Sequence, residues 1–111
     1  MKVAKEVAEA TKKSKLFNRK VRELTKQKPI YHLIQKIIKQ KPANFKEQRN
    51  IIFEYYGVAP KSELDKPARD LNGAINEACI RLGLLERPKM KQYFLWAEGN
   101  QSGDEQQPYE E

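Results

Sequence analysis

The sequence predicts an all-α fold, a small bundle of four or five helices containing a helix–loop–helix unit, followed by a disordered acidic tail. Three observations predict it. Residues 45–56 and 68–82 both place apolar side chains at helical spacing. Gly, Pro and Asn stand where helices start and stop. The one stretch with strand character, 89–97, has no second strand to pair with. Its aromatic residues Tyr93, Phe94 and Trp96 are therefore assigned to a terminal helix, with a strand as the alternative.

Residues 44–83 form the expected centre. In the first segment Phe45, Ile52 and Tyr56 share a face that Ile51 and Tyr55 widen. In the second, Ala68, Leu71, Ala74, Ile75, Ala78, Cys79 and Leu82 keep the rhythm of a buried helix face. Asn44 followed by Glu47 has the spacing of a capping box, with Asn in place of Ser or Thr. Gly57 and Gly83 suit the left-handed position after a helix end. Pro67 suits a first helical turn, where its missing N–H costs nothing. Tyr56-Gly57-Val58, Leu64 and the spacing of Leu71, Ala74 and Ile75 resemble part of the C-terminal domain of phage antirepressors. The likeness spans a minor part of the chain and needs an insertion, so it implies no activity or site residue.

Residues 1–27 lack Gly and Pro and predict one long amphipathic helix, or two with a break near Thr11. Val3, Val7, Ala10, Phe17, Val21 and Leu24 make a stripe, with Ser14 in its weak slot. Lys5, Lys12, Arg19 and Lys26 recur every seven residues on the other side, flanked by Lys15 and Arg22. On a continuous helix they would form a ridge about 32 Å long. Pro29 and Pro42 bracket a further helix whose apolar face is Tyr31, Leu33, Ile34, Ile37 and Ile38. His32, with no acid or cysteine beside it, is expected at the surface rather than as a ligand or base.

Charge is the feature that points to function. Residues 1–41 carry 13 Lys/Arg against 3 Asp/Glu, residues 42–98 carry 9 against 8, and residues 99–111 carry none against 4. A basic N-terminal third, a near-neutral centre and an acidic tail imply a polyanionic partner for the basic part. One helical domain is expected over 1–98, and the tail over 99–111. The single cysteine excludes an internal disulfide and a cysteine-based metal site, and the chain opens without a signal-peptide pattern. An intracellular, non-membrane setting is the default expectation. No phosphate loop, His-Glu-x-x-His, Cys-x-x-Cys or nucleophile elbow is present, so neither an enzyme nor a cofactor or metal is expected.

The expected function is non-catalytic binding of DNA or RNA, in the manner of a small regulator. Its phosphate contacts are Lys12, Lys15, Arg19, Lys20, Arg22 and Lys26, with a second contact at Lys66 and Arg69. In a helix-turn-helix arrangement, Arg69 and Asn72 would reach base edges. Tyr55, Tyr56 and Tyr93 would offer stacking faces to single strands, with a core role expected for at least one of Tyr55 and Tyr56. The alternative is a protein-interaction module, an inhibitor or subunit that binds an acidic partner, or a homodimer joined through the N-terminal stripe. A bland alternative is a solvated helix face, though such a face ordinarily mixes its signs.

Overall fold

Residues 2–85 are described by the structure, a computed structural model. They form five α-helices: α1 (Lys2–Lys12), α2 (Arg19–Thr25), α3 (Ile30–Gln40), α4 (Phe45–Tyr56) and α5 (Asp65–Arg81). The bundle is all-α across these residues. At 17 residues, α5 is the longest helix and packs against α1, α2 and α4. On its other side α1 meets α3, and α3 returns to α4. One core cluster draws on every helix, with Val7, Val21, Leu24, Leu33, Ile34, Ile37, Ile52, Leu71 and Ile75 almost wholly withdrawn from water. The expected terminal element at 89–97 and the tail at 99–111 lie outside the described residues.

The α4–α5 unit follows its sequence signals closely. The Asn44 side-chain oxygen accepts the Glu47 N–H at 2.9 Å. The Glu47 carboxylate reaches back to the N–H of Ala43, also at 2.9 Å, one residue before the partner a capping box would use. Gly57 and Gly83 are left-handed, with φ of +65° and +79°. Each helix then closes in a Schellman motif, Val58 N–H bonding Phe53 C=O at 2.8 Å and Leu84 N–H bonding Cys79 C=O at 2.7 Å. The second helix starts at Asp65, three residues before the apolar pattern becomes visible, and the Asp65 carboxylate accepts the N–H of left-handed Lys61. Pro67 lies in the first turn.

The N-terminal third departs from the single-helix expectation. Residues 13–18 leave the helix and turn the chain, which ends α1 at Lys12 and starts α2 at Arg19. Polar side chains supply the reason. The Ser14 hydroxyl donates to the Glu77 carboxylate at 2.9 Å and accepts the Leu16 N–H at 3.1 Å. The Asn18 side-chain oxygen caps α2, accepting the N–H groups of Lys20 and Val21 at 3.0 and 3.1 Å. The turn drives Leu16 against α5 at Gly73, where an added Cβ would stand 2.7 Å from the Leu16 Cδ1 methyl. The 32 Å ridge on one continuous helix is therefore absent.

The stripe of residues 1–27 is spent inside the fold. Val7, Ser14, Phe17, Val21 and Leu24 are buried within the single chain, joined by Ala4, Ala8 and Thr11, while Val3 and Ala10 are half-buried. The stripe is thus core within one chain, its side chains packed on α3 and α5.

Candidate functional site

The break between α1 and α2 shapes a groove. Its lining comes from α1 (Lys5, Ala8, Glu9, Lys12), from Phe17, from the end of α2 (Arg22, Thr25, Lys26) and from the start of α3 (Pro29, Ile30, Tyr31). The groove encloses about 710 Å³. Lys5 and Lys12 are two turns apart on one wall, and Arg22 and Lys26 are one turn apart on the other, so cations stand on both rims. Among the described residues Glu9 is the one acid of the lining, and Ala8, Phe17, Pro29 and Ile30 supply apolar surface.

Tyr31 is half-buried at the edge of this groove. Its hydroxyl accepts from Gln35 at 3.4 Å, and the exposed His32 packs edge-on to its ring with centroids 5.6 Å apart. Pro29 is held by a separate clamp. Tyr55 donates its hydroxyl to the Pro29 C=O at 3.0 Å, and Tyr56 donates to the Lys28 C=O at 2.9 Å. These bonds tie the start of α3 to the end of α4 and fix one end of the groove.

Three of the expected phosphate-binding residues, Lys12, Arg22 and Lys26, meet in the groove. Lys15, Arg19 and Lys20 are exposed on the connector and the first turn of α2, outside the lining. Lys66 and Arg69 lie apart on α5, where Lys66 pairs with Asp70 at 3.5 Å and Arg69 with Asp65 at 2.6 Å. Among the described residues these are the ion pairs present, and neither involves a cation of α1 or α2. Lys66 and Arg69 are thus locally compensated, whereas the groove cations have, among the described residues, Glu9 as the one acid of their shared lining.

One base-contact expectation is overturned, and one α4 tyrosine takes the expected core role. Asn72 is 1% exposed and faces α4, where its side-chain oxygen accepts from Gln48 Nε2 and its amide donates to the Phe45 C=O at 3.3 Å. It has no access to a nucleic-acid groove. Tyr56 is buried, and burial raises its hydroxyl pKa above the ordinary range. Tyr55 has Lys28 Nζ 4.8 Å from its ring centroid, so that face is already covered by a cation. Tyr93 lies outside the described residues. The groove residues Lys5, Phe17 and Tyr31 had not been singled out as a site. The seven-residue spacing of Lys5 and Lys12 was visible, but the approach of α2 was not.

Cys79 is fully buried in α5, and desolvation pushes its thiol pKa up, so it is held as an unreactive thiol. Among the described residues, no cluster of three or more His, Cys, Asp or Glu is placed to hold a metal ion. No helix among them is long and apolar enough to cross a membrane. Among the described residues, fold and site together define five packed helices with a cation-rimmed, apolar-floored groove. No protein-family model matches the chain, and no curated protein or solved structure is significantly similar to it.

Proposed function

We propose that the protein is a non-catalytic nucleic-acid-binding module whose groove-side cations engage the phosphate backbone. The observation that carries this is the gathering of Lys5, Lys12, Arg22 and Lys26 around one groove with no ion pair among the described residues. Like charges held close repel one another, and a bound polyanion relieves that repulsion. Phosphate contacts also release counterions, which adds an entropic drive that needs no sequence motif. Lys15, Arg19 and Lys20 extend the positive surface beyond the groove.

The apolar lining supports a second reading, a protein-interaction module that seats an acidic amphipathic segment of a partner. Titration of labelled single-stranded DNA, duplex DNA and an RNA hairpin over a salt series separates the two. The nucleic-acid reading expects log K to fall linearly with log salt, by about 0.7–0.9 for each phosphate engaged. Absence of binding to all three ligands at low salt would reject it and leave the acidic protein partner as the better account.

A further inference from the structure

The groove pairs its cationic rims with an apolar interior, and phosphate binding alone has no use for that interior. We infer that it takes an unpaired nucleobase of a single-stranded nucleic acid against Tyr31, with Lys5, Lys12, Arg22 and Lys26 holding the phosphates on either side. This rests on the nucleic-acid reading and narrows it to single strands. A duplex stacks its base faces inside and presents phosphates outward, so it would leave the groove interior against water. An unpaired strand offers a phosphate and an aromatic face in every unit, which matches charged rims over an apolar floor.

Size and chemistry agree. The volume of about 710 Å³ lies within the roughly 300–1,000 Å³ common for pockets that enclose small molecules. The floor from Ala8, Phe17, Pro29 and Ile30 carries no side-chain hydrogen-bonding group. Thr25, the one hydroxyl-bearing aliphatic residue of the lining, already donates to the Arg22 C=O at 3.1 Å. The groove is therefore suited to stacking rather than to reading base edges, and it should tolerate any base. Tyr31 brings an aromatic ring to the lining, and Gln35 and His32 fix its position. Exposed Lys15, Arg19 and Lys20 flank Phe17 in sequence and carry positive charge past the groove. A polymer with one negative charge per unit uses such a track, whereas an acidic peptide anchored in the groove would use the rims alone.

The experiment compares four ligands with the full chain: a short single strand, its duplex, an abasic strand of the same length, and an acidic amphipathic peptide. The abasic strand keeps the phosphates and removes the bases, so it needs no protein variant. The single strand should bind about tenfold more tightly than the abasic strand, the scale of one base stacked on an aromatic side chain. It should also bind more tightly than the duplex. Tyr31→Leu should lose that tenfold advantage without changing the salt slope, and Tyr31→Phe should retain it. Equal binding of single, duplex and abasic strands would overturn base insertion while leaving the phosphate reading in place. Absence of binding to every nucleic acid would overturn both, and Tyr31-dependent binding of the peptide alone would assign the groove to a protein partner.

Discussion

The α1–α2 region and the α4–α5 unit treat their polar groups in opposite ways. In α5, Lys66 and Arg69 each have an acid one turn away, and Asn72 is bonded inside the helix pair. Around the groove, Lys5, Lys12, Arg22 and Lys26 share, among the described residues, a single acid of the lining, Glu9. Pairs of this i,i+4 kind, each with an exposed cation over a largely buried carboxylate, contribute modestly to stability but neutralise the surface. The groove cations add little to the fold beyond the helix-dipole complement of Lys12 and Arg22, each in the last turn of its helix, and they raise the local potential. The difference separates a helix whose polar groups serve the fold from a groove whose charge is directed outward.

The largest expected effect tests that division directly. Replacing Arg22 and Lys26 by Glu should weaken single-strand binding by at least about 100-fold at low salt and lower the log–log salt slope by about two or more. Lys66→Glu with Arg69→Glu should change affinity far less, because those cations begin from compensated positions. Both double variants should keep the helical circular-dichroism signal. An equal loss from the two pairs would erase the distinction between groove and α5, and would point to a diffuse basic surface.

A second test addresses the interior of α4–α5. Asn72→Ala removes the acceptor of the Gln48 amide and the donor to the Phe45 C=O. Stranding buried polar groups should lower stability by about 1–3 kcal/mol in denaturant unfolding. Replacing Gln48 and Asn72 together by Leu removes both ends of their bond and should cost much less than the single change. Nucleic-acid affinity should stay unchanged in both cases. A loss of affinity without a loss of stability in Asn72→Ala would restore Asn72 as a contact residue.

The same contrast explains how much was legible in the sequence. Gly57, Gly83, Asn44 and Glu47 act within a few residues of themselves, so helix ends in α4–α5 could be read locally. The pairs Lys66–Asp70 and Asp65–Arg69 were also legible, since both have i,i+4 spacing. Asn72 carried a warning of its own, four residues after Ala68 and three before Ile75 on the buried face. The break at residues 13–18 is of another kind. It contains neither Gly nor Pro; Asn18 caps α2 locally as Asn44 caps α4, but Ser14 and Asn18 also reach partners 63 and 52 residues away, at Glu77 and Asp70. The absence of Gly and Pro allowed a continuous helix, and the local cap together with these distant contacts decided against it. The groove inherits that difficulty, because residues of α1 and α2 line it together only once the chain has turned.

Gly73 and Leu16 offer the finest test, since they join the two regions. A glycine inside a helix costs about 1 kcal/mol relative to alanine, so Gly73 calls for a compensating contact. That contact is Leu16, whose methyl stands where the alanine Cβ would need room. The obstacle is the end of a flexible, half-buried side chain, which can shift at modest cost. Gly73→Ala alone should therefore change stability little, as helix propensity and crowding oppose each other. In a Leu16→Ala background the crowding is gone, and the same substitution should stabilise by the full propensity difference, about 1 kcal/mol. The non-additivity of this cycle measures how firmly the connector presses on α5. Strict additivity would mean that Leu16 does not rest on Gly73, and the turn would then be held by Ser14 and Asn18 alone. Because the turn sets α2 beside α1, a Gly73→Leu variant that displaces Leu16 should also weaken single-strand binding, whereas Gly73→Ala should not.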